Sequence, residues 1–383
     1  MANYDVIVVG SGVIGLSIAW QVGLTGRRVV VVDPHPGRGS SYAAAGMLAP
    51  VNEAAWGDEP LIELNVRSAA GWPSFARALE TASDLPVGLR ETGALLVAGD
   101  GSDHAQLEEL FKFQQHLGLD SSWCTASTCR TLEPLLAPGV RGGILAPSDH
   151  QVDNRRVLAA LGVAARRSGV QFLHASVLAC LTSDGRISGV VMNDGELYGD
   201  LTIIAAGYAS GAIAGLPDPP LAVRPVKGQI LRLRTRDGRA LLERTVRGLI
   251  GGQHVYIVPR ADGGVVVGAT SEEVGEDTSV TAIACYELLR NAIHLLPAVG
   301  EIELIETLAA LRPGSPDNAP LVGAASVAGL AYATGHYRNG VLLAPVTAEA
   351  IVALVEQGEI PDWASPFAPE RFANASTATS DPL

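Results

Sequence analysis

Gly10-Ser11-Gly12-Val13-Ile14-Gly15 has the G-x-G-x-x-G spacing that cradles a pyrophosphate. Gly10 permits the tight turn, Gly12 lets a phosphate approach the backbone, and Gly15 lets a helix pack close to a strand. Val13 and Ile14 open that helix, whose free N–H groups and partial positive charge favour an anion. Asp33 follows Gly10 by 23 residues. A carboxylate there accepts hydrogen bonds from ribose hydroxyls and repels a 2′-phosphate, which argues against NADP. The chemistry is that of a dinucleotide site, with NAD and FAD both open on this motif alone.

Other chemistries find little support. The four cysteines, Cys124, Cys129, Cys180 and Cys285, form no CxxC pair, and the eight histidines form no HxxxH or HExxH pattern. No metal site is expected. The net charge of −13 and a pI near 5.1 argue against a general nucleic-acid-binding surface, while leaving room for a local basic pocket. Mean hydropathy is high at +0.24. Yet the longest stretches without charged residues, 201–217 and 318–337, each carry three glycines, so no membrane span is expected. The first basic residue is Arg27, too late for a secretory signal. A cytoplasmic protein that binds neither membrane nor nucleic acid is the expectation.

These residues need elements to hold them. Tyr4 to Val9 reads as a buried strand, Val13 to Leu24 as a helix, and Arg28 to Asp33 as a second strand. Glu63 to Thr81, the region near 103–117, and a stretch from an Asp153-Asn154 cap to Ser168 read as helices. Asp184-Gly185, Asp194-Gly195 and Asp262-Gly263 mark hairpins. Leu201 to Gly207 and Leu330 to Thr334 read as buried strands, and Thr281 to Leu296 and Val341 to Gln357 as helices. The order predicts an α/β protein. A Rossmann-like dinucleotide-binding domain takes 1–75, 147–222 and 303–365. An interleaved α+β substrate domain, built on an antiparallel sheet, takes 76–146 and 223–302. Residues 366–383 read as a flexible tail.

Ser40-Ser41-Tyr42-Ala43-Ala44-Ala45-Gly46-Met47-Leu48-Ala49-Pro50 resembles the second flavin-contacting loop of the D-amino-acid-oxidase-like FAD enzymes. Thr307-Leu308-Ala309-Ala310-Leu311-Arg312-Pro313-Gly314-Ser315-Pro316-Asp317 resembles their W-x-G-L-R-P-x-T-x-D segment. His254 to Arg260 with Gly268-Ala269-Thr270, and His336 to Pro345, resemble the glycine oxidase branch that serves bacterial thiamine biosynthesis. The likeness runs from about residue 4 to 363. Leu308 and Ala310 depart from the pattern, which implies altered packing beside the flavin. Asn154, where many relatives have proline, implies a changed helix entry.

The resemblance implies an FAD-binding domain holding FAD without a covalent bond, since no cysteine lies in 286–383, where covalent relatives attach it. Ala45, Gly46 and Met47 are implied to touch the flavin, Val177 the adenine, and His336, Tyr337, Arg338, Asn339, Gly340, Val341 and Leu342 the pyrimidine side. Ser41 and Gly207 complete the cofactor set. The helix after Asn339-Gly340 would aim its N–H groups at the site of reduced-flavin negative charge. An amino-acid oxidase must hold an α-carboxylate, for which an arginine fork is suited. Arg312 is expected to bind it, Arg338 to support, and Tyr256 to offer its hydroxyl. The implied reaction is hydride transfer from glycine to flavin N5, giving an imine, then glyoxylate and ammonia, with oxygen reduced to peroxide. Sarcosine or small D-amino acids stand beside glycine as substrates, and a homo-oligomer, a tetramer, is implied. A D-amino-acid dehydrogenase using a membrane quinone, and a non-redox nucleotide-binding protein, remain alternatives. The Ala-Gly-Met loop argues against an NAD dehydrogenase.

Overall fold

The computed structural model describes residues 4–218 and 221–372 of the 383-residue chain. It opens with β1 (Tyr4–Val9), α1 (Val13–Gly23) and β2 (Val29–Val32). Short α2 (Ser40–Ala43) and β3 (Met47–Leu48) lead into the long α3 (Glu59–Ser83). Next come β4 (Ala94–Ala98), α4 (Gly101–His116), β5 (Ser122–Thr125), α5 (Ala126–Leu132), β6 (Gly142–Ala146) and β7 (His150–Gln151). The chain returns through α6 (Asn154–Arg167), β8 (Gln171–Leu173), β9 (Val177–Ser183), β10 (Arg186–Met192) and β11 (Gly195–Ile204). Four strands follow: β12 (Arg224–Arg234), β13 (Thr245–Ile250), β14 (Gln253–Pro259) and β15 (Gly264–Gly268). Last are α7 (Ala282–Leu295), β16 (Glu303–Gly314), β17 (Leu321–Ala324), β18 (Leu330–Thr334) and α8 (Gly340–Gln357).

The first sheet has the order β17-β18-β11-β1-β2-β8, parallel except at β17–β18. Its apolar strands are buried on both faces, as parallel strands must be. Helices α1, α3, α6 and α8 cover one face, with Trp20, Trp72 and Phe75 in edge-to-face contact. The β9–β10 hairpin extends the first half of β11, while the second half of β11 pairs with β1.

The second sheet has the order β16-β12-β15-β14-β13-β4-β6-β5. It is antiparallel except at β4–β13, a parallel pair the sequence reading did not anticipate. Leu288, Ala292 and Leu295 of α7 pack on Val246, Ile257 and Val267. On the other face Ile230, Val258 and Val266 meet Ala43 and Ala45 of the loop from the first sheet.

Two assignments need correction. Glu303–Gly314, expected in the nucleotide-binding domain, is an edge strand of the second sheet, zipped to β12 from Arg224–Gly314 to Arg234–Glu303. Its sequence lacks clean alternation because its first half is exposed and only the second half is buried. Residues 366–372, expected to fray, pack down: Phe367 is 3% exposed, and Arg371 grips Asp317 with two nitrogens at 2.9 and 3.0 Å. The rest of the expected tail, 373–383, lies outside the described residues. Helix α8 is long and apolar enough for a membrane span, but more than half of it is buried in the protein core against α1 and α3.

Candidate active site

A cavity of about 890 Å³ is lined from both sheets. Gly10, Gly12, Val13, Ile14 and Asp33 border it from β1–α1–β2. Ser41, Ala45, Gly46, Met47, Val177 and Gly207 also line it, as does the run from His336 to Leu342. Tyr256 and Arg312 close it from the second sheet. Gly15 alone among the expected residues is not in the wall. A Cβ there would strike the Gly10 carbonyl, so its role is close helix packing. Leu308 and Ala310 line the cavity, in the apolar patch with Ile230 and Met47.

The nucleotide end is built as its motif requires. Gly10 has φ +105° and would collide with Ala205 if it carried a Cβ. Helix α1 has Gly12 at its N-cap and no capping side chain from that position. Ser41 Oγ accepts from Val13 N–H at 3.0 Å, so this hydroxyl tethers the second loop to the helix start. Asp33 Oδ2 accepts from Ser11 N and Oγ at 2.7 and 2.8 Å, and Oδ1 from His35 N at 2.7 Å. Each oxygen has two lone-pair sites, and the carboxylate still faces the cavity.

Three residues to which the sequence reading gave no such role hold the loop from Ser41 to Ala45. Asn154 donates to Ser41 O and Tyr42 O at 2.8 and 2.9 Å. Arg260 donates to Ala45 O at 2.5 Å and Arg232 to Ala44 O at 3.2 Å. Asn154 therefore does more than alter helix entry, while Asp153 provides the cap. Gly46, at φ +77°, would meet the Val152 carbonyl with any Cβ.

At the opposite wall, α8 begins at Asn339, with no side chain capping it. Its first N–H groups, on Gly340 to Leu342, lack helical partners and border the cavity. Leu342 O is anchored by Ser68 Oγ at 2.6 Å and Trp72 Nε1 at 2.8 Å. His336 is buried, its Nε2 2.9 Å from Thr347 Oγ1, and burial pushes its pKa down to about 3. It is a neutral, structural imidazole. Tyr337 sits at φ +47°, with its hydroxyl 3.3 Å from Ser271 Oγ.

Arg312 lies across the face of the second sheet. Its Nη1 donates to Thr270 O at 3.1 Å and Lys227 O at 3.5 Å. Burial pulls its pKa below the ordinary value, with Tyr256 opposing and Arg338 reinforcing that shift. Among the described residues neither Arg312 nor Arg338 has a carboxylate within 4.0 Å. Burial raises the Tyr256 phenol, and Arg312 offsets part of the rise, so the hydroxyl remains a donor. Gly228 and Gly268 make room: a Cβ on the first would strike the Arg312 guanidinium, and on the second the Tyr256 ring.

Glu53, Arg247 and His254 also border this end; no motif marked Glu53 or Arg247, and His254 stood in a quoted motif without a role. Arg247 Nη1 lies 2.6 Å from Glu53 Oε1. Burial alone would raise the Glu53 carboxyl, but Arg247 and Arg338 outweigh it and hold the pKa below the ordinary range. Asp149, fully buried, accepts from Val51 N and Asn52 N at 2.9 and 3.0 Å and so fixes the loop that carries Glu53.

Cradle glycines, a mononucleotide-type strand–helix–strand unit, and a cavity walled by a second sheet define a dinucleotide-binding protein. The chain belongs to the FAD dependent oxidoreductase family, whose model matches residues 5–354, and FAD is its cofactor. It is 33% identical over 377 residues to the bifunctional protein ThiO/ThiG of Trichormus variabilis, covering 98% of this chain and 56% of that one. The chain thus spans about half the length of the first curated relatives it matches. It is 32% identical over 370 residues to a glycine oxidase of Geobacillus kaustophilus, covering 95% and 96%. The crystal structure of glycine oxidase from that organism superposes with a TM-score of 0.89 at 30% identity, covering 97% of this chain and 99% of that one.

Proposed function

We propose that this chain oxidises glycine to glyoxylate and ammonia, with hydrogen peroxide as the second product. The single observation that carries the reading is Arg312. A buried guanidinium with no carboxylate partner among the described residues faces the same cavity as a dinucleotide cradle, and an α-carboxylate completes it. Sarcosine and small D-amino acids present the same carboxylate and belong to the same substrate class.

The cavity fits FAD. Gly10, Gly12, Val13 and Ile14 would hold the pyrophosphate, Asp33 the ribose, and Val177 the adenine. Ser41, Ala45, Gly46, Met47, Gly207 and the run from His336 to Leu342 would hold the flavin. None of the four cysteines lines the cavity, in keeping with non-covalent attachment. When bound, FAD would supply the two-electron oxidant, with oxygen as the terminal acceptor.

The chain's own residues bind and orient. Arg312 forks onto the substrate carboxylate, the Tyr256 hydroxyl donates to it, and Arg338 adds a second positive charge. Glu53 pairs with Arg247 and acts on Arg338 through charge at longer range. The α8 N–H groups offer a partial positive charge to the cofactor. The titratable groups named at this end are poor bases: burial leaves His336 weakly basic and bonded to Thr347, burial and Arg247 lower the His254 pKa, and Glu53 is ion-paired. The amine therefore reacts unprotonated, and kcat/KM rises with pH towards the amine pKa.

The same reading makes the enzyme a cytoplasmic homo-oligomer, a tetramer, that supplies the imine for thiazole formation in thiamine biosynthesis. The test is a peroxide and glyoxylate assay on the yellow holoenzyme with glycine, sarcosine and D-alanine under air. Glycine turnover with stoichiometric peroxide supports it. Flavin reduced by substrate but reoxidised only by a quinone overturns the oxidase assignment.

A further inference from the structure

Lys227 is the chain's most conspicuous buried cation outside the cavity wall. Its side chain is 1% exposed, and its Nζ lies 2.5 Å from Asp277 Oδ2, whose own side chain is 46% exposed. Asp277 belongs to residues 269–281, the connection from β15 to α7. This segment runs along β12 and over the substrate end of the cavity. Lys227 and Glu272 exchange backbone hydrogen bonds at 2.8 and 3.0 Å. Gln229 bonds Glu272 Oε1 and Thr281 N, each at 2.8 Å. Thr270 O receives Arg312 Nη1, Ser271 meets the Tyr337 hydroxyl, and Thr278 lines the cavity.

We propose that the Lys227–Asp277 ion pair latches the strap 269–281 over the substrate and thereby positions Arg312. The proposal rests on the reading that Arg312 binds the substrate carboxylate. Its physics is the asymmetry of a buried charge: with the strap lifted, the ammonium loses its one carboxylate partner, which strongly favours the seated strap. The strap's first residue beyond the peptide to Ala269, Thr270, holds Arg312 from behind through its carbonyl. Lys227 O holds the same nitrogen from the strand. Lys227 and Asp277 are thus positioning residues. They touch no substrate and act through the guanidinium.

The experiment uses the holoenzyme with Asp277→Asn, Lys227→Met, the double variant, Asp277→Glu, and each latch change in an Arg312→Leu background. Acetate, an unreactive carboxylate, is titrated against the flavin absorption spectrum, and glycine kcat and KM are measured. Asp277→Asn should raise the acetate Kd and the glycine KM about tenfold with unchanged flavin content, the scale expected of a misplaced binding group. Asp277→Glu should recover much of the loss. In the Arg312→Leu background the latch changes should add nothing. Wild-type acetate affinity in yellow, folded Asp277→Asn overturns the latch, as does full additivity with Arg312→Leu. If Arg312→Leu itself leaves acetate binding unchanged, the carboxylate assignment falls and the latch with it. If that variant weakens acetate while the latch variants do not, the latch alone falls.

Discussion

Gly228→Ala displaces Arg312 without removing its charge. Gly228 sits on β12 opposite Ala310, two pairs along from Val226–Arg312 and on the same face, so the Arg312 side chain crosses it diagonally. A Cβ at 228 would lie closer than 3.0 Å to Nη1, Nη2 and Cζ of Arg312. Those atoms end a flexible side chain, so the guanidinium moves rather than the sheet. The backbone at 228 is not in the left-handed region, and Gly→Ala reduces unfolded-chain entropy by ~0.4–1 kcal/mol, so folding should survive. Displacement removes a charge-assisted contact worth ~1.5–3 kcal/mol. That corresponds to a roughly 10- to 150-fold fall in kcat/KM. Peroxide production from glycine measures it, with flavin content and thermal midpoint as controls. A yellow, stable Gly228→Ala enzyme with wild-type kcat/KM would refute both the position of Arg312 and its role.

Gly268→Ala should press on the Tyr256 hydroxyl and ring and lower kcat/KM roughly tenfold or more, the loss of a hydrogen bond to a charged carboxylate worth ~1.5 kcal/mol or more, read in the same assay. Glu53→Gln leaves Arg247 without its buried partner and should destabilise the fold by ~3 kcal/mol, measured by urea unfolding at neutral pH. The Glu53 pKa is held below its ordinary value, so its stabilisation is present at neutral pH and fades as pH falls through the folded value. Asp149 has the opposite sign. Burial raises its pKa from 3.8 to about 7 against two backbone N–H donors, so its share of stability is present at acid pH and lost as pH rises through 7. Thermal midpoints followed across that window should slope downward in the native chain relative to Asp149→Asn.

Much of the cofactor half was legible because its constraints are local. Strand, glycine turn, helix and Asp33 occupy one short stretch, and each glycine answers a steric demand that a spacing rule records. Helix α8 was legible for the same reason. The substrate half was legible only where a motif named it, as at Arg312. Glu53 and Arg247 meet through folding, from a loop and a strand far apart in the chain, and no spacing encodes that. Gly228 and Gly268 look like any other glycines in sequence. Their meaning is the side chain that lies over each of them. Strand β16 was misplaced because an edge strand with an exposed first half has no strong period, and its pairing with β12 is a long-range choice.

Strand β11 carries a consequence for how the chain is made. Tyr4 pairs with Gly199 across β1–β11, and Thr202 with Leu330 across β11–β18. The glycine-rich turn after β1 is synthesised well before β11, the strand beside it, and before the 336–342 wall of the cavity. Contacts of such sequence separation slow folding, and they leave the β11-facing edge of β1 unpaired until β11 is made. A complete cavity wall therefore forms only after β11, β18 and the start of α8 have been made.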